Sequence, residues 1–285
     1  ARASVVGGFV GTSNLEAGLL YGIPTVGTSA HSFTLLHDSE EDAFAAQVAS
    51  LGPSTTILVD TYDIATGVER AVKAARAAGG ELGAVRLDSG DLVAEAFKVR
   101  AQLDTLGATS TKITVTNDLD EHAIAALGAA PVDSYGVGTK LVTGSGRPTA
   151  ALVYKLVERE GADGTMEEVA KFSSGGKSTV GGRKWAGRRL TSEGTAAEEL
   201  VVSSSSQDQG LAALSEAGAR PLQVLLVDEG RIIEEHRGKE ALSAAAERHR
   251  AARAELPYDA WRLSDGESAL PTRHVDLDGR SATRR

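Results

Sequence analysis

The sequence predicts an α/β chain: an irregular, incomplete parallel β/α barrel over residues 1–149, then a smaller α+β region over 150–285 with a flexible tail from about 265. Three observations lead there. Up to about residue 145 one beat recurs six times: a short run rich in Val and Ile, a polar turn, a helical pattern. That alternation is the mark of a parallel sheet with right-handed crossovers. Every run ends in a turn of chemically capable residues, whereas an open doubly wound sheet would gather such turns at its switch point. Past residue 150 the beat stops. Six units against the usual eight make the expected barrel incomplete.

Taken in order, Val5–Val10 reads as a strand leading into Gly11-Thr12-Ser13-Asn14, with a helix over Leu15–Tyr21. Ile23–Val26 leads into Gly27-Thr28-Ser29-Ala30-His31-Ser32. Glu40–Leu51 is an amphipathic helix whose acidic first turn suits the positive end of the helix dipole. Thr56–Val59 runs into Asp60-Thr61-Tyr62-Asp63, and the helix Gly67–Ala78 closes at Gly79-Gly80. Gly83–Leu87 runs into Asp88–Asp91 and the helix Leu92–Leu106; Lys112–Val115 runs into Thr116-Asn117-Asp118 and a helix over Leu119–Leu127; Ser134–Val137 runs into Gly138-Thr139-Lys140. Beyond, Ala150–Val157 and Glu168–Phe172 read as antiparallel strands, followed by the Gly- and Lys-rich Ser173–Arg189. A Ser-rich linker (Val201–Ser206), a helix near Leu211–Ala217, a strand (Leu222–Val227), a hairpin turn at Asp228-Glu229-Gly230 and a helix over Lys239–Glu255 complete the region. The tail from Asp265 reads as an extended or disordered arm.

The 285 residues suffice for a sizeable core. A net charge of −9 argues against a nucleic-acid partner, which would call for a basic stripe. The absence of cysteine excludes disulfides and thiolate metal sites. No apolar run reaches membrane-spanning length and no signal pattern opens the chain, so the cytoplasm is the expected compartment and no membrane partner is expected. The chain opens on an apolar run, Val5-Val6-Gly7-Gly8-Phe9, and its single Met is Met166. It is therefore expected to be part of a longer protein.

Thirteen strand-end residues can do chemistry: Ser13, Asn14, His31, Asp60, Asp63, Arg86, Asp88, Ser89, Asp91, Asn117, Asp118, Gly138 and Thr139. In a barrel such turns converge on one mouth. Arg86 places a guanidinium inside an apolar run, and its burial demands a carboxylate or an anionic ligand. An internal Arg–Asp pair, with Ser89 or Asp88 capping the next helix, answers that demand as well as a ligand does. Gly136-Val137-Gly138-Thr139 and Thr116-Asn117-Asp118 are short turns able to aim backbone N–H groups at a phosphate. The carboxylates at Asp63, Asp88 and Asp91 suit a Mg²⁺-bound pyrophosphate or a developing positive charge. His31 suits a nucleophile or phosphoryl acceptor. Taken singly, each of these residues is equally a cap or turn residue. His37, His122, His236, His249 and His274 read as surface histidines.

Six stretches occur in order: GFVGTSNLEAG (8–18), YGIPTVGTSAHSF (21–33), ILVDTYD (57–63), VRLDSGDL (85–92), DSYGVGTKLVT (133–143) and VYKLVE (153–158). Together they resemble the nicotinate phosphoribosyltransferases, and KFSSGGKSTVGGRKW (171–185) and RPLQVLLVDEGRII (220–233) resemble that family's region after the barrel. The resemblance covers nearly the whole chain, and the family's chains begin upstream of residue 1. It implies a type II phosphoribosyltransferase fold with an additional domain built from both chain ends, and a homodimer whose active sites borrow from the partner. It also implies an ATP-coupled enzyme, a ligase and glycosyltransferase of NAD salvage. Such an enzyme converts nicotinate and phosphoribosyl pyrophosphate to nicotinate mononucleotide and pyrophosphate, with Mg²⁺ accompanying phosphoribosyl pyrophosphate and ATP.

By motif, His31 matches the histidine that ATP phosphorylates. Arg86 and Ser13, with the neighbouring Thr12, fall at or close to the pyridine carboxylate. Asp88 falls where the ribose hydroxyls and pyrophosphate meet. Asn117, Asp118, Gly138 and Thr139 match the loops that hold the 5′-phosphate, although family members more often carry Ser-Gly or Ser-Asn at 116–117. A nicotinamide- or quinolinate-using relative and a non-catalytic phosphate-binding remnant are the competing readings.

Overall fold

The computed structural model describes residues 1–171 and 179–278. Phe172, the residues 173–178 of the expected Gly- and Lys-rich stretch, and 279–285 of the expected tail lie outside them. The chain forms two compact units, one of residues 27–151 and one joining 1–26 to 152–285. The expected division placed 1–26 with the barrel instead.

In the second of these units, the first 26 residues supply α1 (Arg2–Val6) and α2 (Leu15–Tyr21). Neither expected early strand forms. Val5 and Val6 turn into helix and pack on Ala17, Ile23 and Leu242, so tertiary burial overrides their β preference. Ile23–Val26 yields a single parallel bridge, Thr12 to Thr25.

Residues 27–151 carry the beat. Helices α3 (His31–Leu35) and α4 (Glu40–Leu51) precede β1 (Thr56–Leu58), α5 (Ile64–Ala77), β2 (Ala84–Leu87), α6 (Leu92–Thr105), β3 (Lys112–Val115), α7 (Glu121–Ala126), β4 (Ser134–Tyr135) and the short α8 (Thr139–Thr143). Ser39, Asp63, Asp91 and Asp120 cap α4 to α7 by accepting backbone N–H bonds. The four strands are all parallel and lie in the order β1-β2-β3-β4. This is the sequential winding of a barrel, with no reversal of strand order, and it has four strands where six were expected.

Register assigns the two faces. Leu58, Arg86, Thr114 and Ser134 stand in one row. Since successive side chains alternate, Ile57, Val59, Val85, Leu87, Ile113 and Val115 share the opposite face. Those six are fully buried and form one core with Ala43, Phe44 and Val48 of α4, Val68, Ala71, Val72 and Ala75 of α5, and Val99 and Leu103 of α6. Gly67 lets α5 come down on the end of β1, for a Cβ there would lie 2.3 Å from the Val59 carbonyl oxygen. The remaining face of the sheet is free to carry polar residues.

The other unit continues with β5 (Glu158–Glu160) and β6 (Met166–Glu168), then β7 (Lys184–Leu190), β8 (Ala196–Ser203), α9 (Gln207–Glu216), β9 (Ala219–Pro221), β10 (Val227–Asp228), β11 (Arg231–Ile232), α10 (Gly238–Ala254) and β12 (Thr272–Asp276). Its larger sheet has the order β12-β8-β7-β9. Leu200, Val202, Leu214 and Ala219 form its core. Arg188 of β7 ties in α10 by donating to the Ala252 carbonyl at 3.0 Å. Several expectations are corrected here. Residues 150–157 form no strand, and Leu152, Val153 and Tyr154 are exposed. The supposed Ser-rich linker is the end of β8, with Ser203 and Ser204 buried and Ser206 capping α9. Residues 222–226 stay outside the strands. Part of the tail is β12, parallel to β8 with His274 opposite Val201. The hairpin turn at Glu229-Gly230 is found, between Asp228 and Arg231.

Candidate active site

The polar face of the parallel sheet gathers its residues at the carboxyl ends of β1, β2 and β3, all within the 27–151 unit. Leu58, Arg86 and Thr114 are register partners, so Asp60, Asp88 and Thr116 lie two residues further along, on the same face. The ladder continues past the strands through Val59 N–H to the Arg86 carbonyl (3.2 Å) and Thr116 N–H to the Leu87 carbonyl (2.9 Å).

Arg86 is engaged on three sides. Its Nε donates to Thr116 Oγ1 at 2.9 Å, Nη1 to Thr28 Oγ1 at 2.7 Å and Nη2 to Asp88 Oδ1 at 3.0 Å. The internal Arg–Asp pair anticipated for this residue is thus present. The helix cap is neither Ser89 nor Asp88 but Asp91. Ser89 donates instead to Asp60 Oδ2 at 2.7 Å, as does the Asp88 backbone N–H at 2.8 Å. Thr116 Oγ1 donates to Asp88 Oδ1. Burial pushes the Asp88 carboxyl up, but bonds from Thr116 and Arg86, with the charges of Arg86 and His31, outweigh it and hold the group below the usual carboxylate range.

His31 begins α3 beside this cluster. Its Nδ1 lies 3.0 Å from Thr61 Oγ1, and Nε2 faces Asp60 Oδ1 and Asp88 Oδ2, each at 3.9 Å. Its side chain is 41% exposed while that of Asp60 is 1% exposed, and Asp60 Oδ1 has no hydrogen-bond partner. A buried carboxylate oxygen left open toward an accessible imidazole gives positive charge at that point a fixed counter-charge. Asp60 was visible in the sequence as one strand-end acid among several; its burial was not.

The other expected residues fall as follows. Asp63 and Asp91 each spend a carboxylate oxygen on a helix cap, accepting from Thr66 N–H (2.9 Å) and Ala94 N–H (3.1 Å). Asn117 and Asp118 form the exposed turn after β3 with φ of 97° and 46°, left-handed values uncommon for non-glycine residues. Gly138 and Thr139 open α8 and are exposed. Thr12 and Ser13 belong to the other unit, where Thr12 Oγ1 accepts the Asn14 N–H at 3.1 Å and Asn14 caps α2. Of the histidines set aside, His122, His249 and His274 are exposed, while His37 and His236 are half-buried. Among the described residues no group of three or more His, Asp or Glu side chains is arranged to hold a metal ion. No helix among them is long and apolar enough to cross a membrane.

No family model matches the chain. Among proteins with curated names it is 48% identical over 283 residues to nicotinate phosphoribosyltransferase PncB1 of Mycobacterium tuberculosis strain H37Rv, covering 96% of this chain and 59% of the relative. It is 42% identical over 190 residues to the nicotinate phosphoribosyltransferase of Bacillus subtilis strain 168, covering 65% and 38%. The chain therefore spans less than two thirds of the length of the curated relatives it matches. Among solved structures, human nicotinic acid phosphoribosyltransferase aligns with a TM-score of 0.66 at 21% identity, over 96% of this chain and 64% of that one. Nicotinate-nucleotide pyrophosphorylase from Pyrococcus furiosus aligns with a TM-score of 0.62 at 22% identity, over 88% and 61%. These two likenesses establish the type II phosphoribosyltransferase-like α/β fold. By sequence, along 96% of its own length, this chain is a relative of the nicotinate phosphoribosyltransferases.

Proposed function

We propose that this chain carries the catalytic loops of an ATP-coupled nicotinate phosphoribosyltransferase, which joins nicotinate to phosphoribosyl pyrophosphate and releases nicotinate mononucleotide and pyrophosphate. The observation that carries the reading is the cluster of His31, Asp60, Arg86, Asp88 and Thr116 at the carboxyl ends of three parallel strands. That is where barrel-type folds do their chemistry.

Breaking the bond from C1 of the sugar to pyrophosphate builds positive charge on the ribose ring. Asp88, held ionised by Arg86 and Thr116, stabilises that charge. The pyridine nitrogen of nicotinate is already a nucleophile, so positioning supplies most of the rate. Arg86 meets the pyridine carboxylate with its unused N–H groups. Asn117, Asp118, Gly138 and Thr139 hold the 5′-phosphate, and Asp63 and Asp91 remain at the rim as caps. His31 attacks the γ-phosphorus of ATP, forming an N–P bond as the bond to ADP breaks, and Asp60 supports the positive ring. The added charge of about −1.5 to −2 reorders the mouth and links ATP hydrolysis to synthesis. Mg²⁺ travels with the two polyphosphate substrates, and the enzyme works as a homodimer in the cytoplasm.

The test is mass spectrometry of the natural full-length protein after incubation with ATP, with a substrate panel alongside. The expected result is an acid-labile phosphate on the peptide holding His31, synthesis with nicotinate in preference to nicotinamide and quinolinate, and loss of ATP stimulation in His31→Ala. A His31→Ala protein that keeps ATP-stimulated synthesis ends the phosphohistidine role.

A further inference from the structure

Thr116 stands in the sequence as the first residue of a turn read for its backbone N–H groups. Its side chain has another position. Thr116 Oγ1 accepts from Arg86 Nε at 2.9 Å and donates to Asp88 Oδ1, the same oxygen that takes Arg86 Nη2 at 3.0 Å. A hydroxyl has one proton and two lone pairs. Here the proton goes to the carboxylate and a lone pair to the guanidinium, while the Leu87 carbonyl at 3.4 Å is a weaker claimant for that proton. The orientation is fixed from behind. Thr116 N–H is held by the Leu87 carbonyl at 2.9 Å, and its methyl sits where Gly136 has no side chain, since a Cβ at 136 would lie 2.4 Å from Thr116 Cγ2.

We propose that Thr116 is a positioning residue whose hydroxyl locks Arg86 and Asp88 into one mutual orientation, so that recognition of the substrate carboxylate and stabilisation of charge on the sugar are set together. This rests on the proposed function. It assigns to one hydroxyl a coupling between two substrate sites that neither Arg86 nor Asp88 provides alone. Arg86 without it keeps its bonds to Thr28 and Asp88 but its plane can rock about the line from Nη1 to Nη2, and Asp88 loses one of the two donors on Oδ1.

The experiment compares Thr116→Val and Thr116→Ser in the natural full-length protein. Valine replaces the hydroxyl with a second methyl and keeps the one facing Gly136; serine keeps the hydroxyl and lacks that methyl. Bonds to charged groups of this kind correspond to roughly ten- to a hundredfold. The valine variant is therefore expected to lose about that factor in kcat/KM for nicotinate, through both a raised KM and a lowered kcat, and serine to recover most of it. An NMR arm independent of turnover follows the Arg86 Nε–H signal, expected to be protected from exchange in the wild type and in Thr116→Ser and unprotected in Thr116→Val. Unchanged kinetics in the valine variant, serine as impaired as valine, or a protected Nε–H that survives the valine change each overturn the proposal. A wild type that makes no nicotinate mononucleotide would instead end the proposed function, and the NMR arm would then decide the role of Thr116.

Discussion

Arg86 owes its half-buried place to the period of the strand. Val85 and Leu87 face the helices, and 84 and 86 face the other way, so a guanidinium inside an apolar run is on the polar face without disturbing the core. Three of its five N–H donors are taken by Thr28, Thr116 and Asp88, which leaves two for a ligand. Arg86→Lys is expected to raise KM for nicotinate about tenfold or more while affecting KM for phosphoribosyl pyrophosphate less, because an ammonium lacks the planar fork. Steady-state kinetics with each substrate varied would check it, and equal effects on both constants would count against the assignment. Asp88 gives a second prediction. Its folded-state pKa is depressed, so its contribution to stability is present above the ordinary carboxylate value and is lost as pH falls through the depressed one. Asp88→Asn should therefore melt below the wild type at pH 7, with the gap narrowing on acidification below about pH 4. A gap that stays constant from pH 7 to pH 3 would show that the charge is not what matters.

Between elements, the join of α4 to α5 carries an unusual acid. Glu40, the first residue of α4, is almost fully buried, with Oε2 3.0 Å from Arg70 Nη1 of α5 and Oε1 unpartnered. Burial pushes its carboxyl up, and the bond and charge of Arg70 offset this only in part; Glu41 and Asp63 add to the rise. Here the sign is reversed: the folded chain favours the protonated form, so stability falls as pH rises through the raised value. Glu40→Gln should be close to the wild type at pH 5 and as stable or more so, by about 1 kcal/mol, at pH 8, since Arg70 keeps Glu41 at 2.6 Å. Thermal melts at the two pH values test this, and a loss of stability that grows with pH would refute it. Gly67→Ala, by contrast, is expected to cost about 1–3 kcal/mol at any pH, as its methyl would press on the Val59 carbonyl; an unchanged denaturation midpoint would mean the helix yields without strain.

The same elements show what the sequence made readable. Glu40–Leu51 and Lys112–Val115 have the predicted limits because their signals are local: a capping Ser39, an acidic first turn, a β-branched run before a polar turn. The misses are of another kind. Val5-Val6 becomes helix because its burial partner, Leu242, is more than two hundred residues away. The serines at 203 and 204 read as linker, and Thr272–Asp276 as loose tail, although β12 and β8 pair with each other. Strand pairing over such separations leaves no periodic trace in either segment.

At the scale of the molecule, the site was legible as a set of strand ends, and as contacts only in the Arg–Asp pair at Arg86. That His31, Arg86 and Asp88 would meet follows from the parallel order of strands. That Asp60 would be sealed beneath them, and that Asp63 and Asp91 would turn to capping, depends on which strand-end acid points inward. The resulting charge balance yields the last prediction. Asp60 and Asp88 oppose the single cation Arg86 and a histidine at the cluster, the chain carries a net charge of −9, and no described residues form a metal cage of their own. Such a site repels a bare polyphosphate, so under the proposed function phosphoribosyl pyrophosphate is expected to bind as its Mg²⁺ complex. Isothermal titration should find it bound at least about tenfold more weakly in EDTA than with Mg²⁺. In EDTA, raising salt from about 0.01 M to 0.15 M, which shortens the screening length from about 30 Å to about 8 Å, should strengthen what binding remains. Binding in EDTA as tight as with Mg²⁺, or weakened by that salt, would place enough positive charge in the pocket to hold the phosphates alone and would move their site away from this acidic cluster.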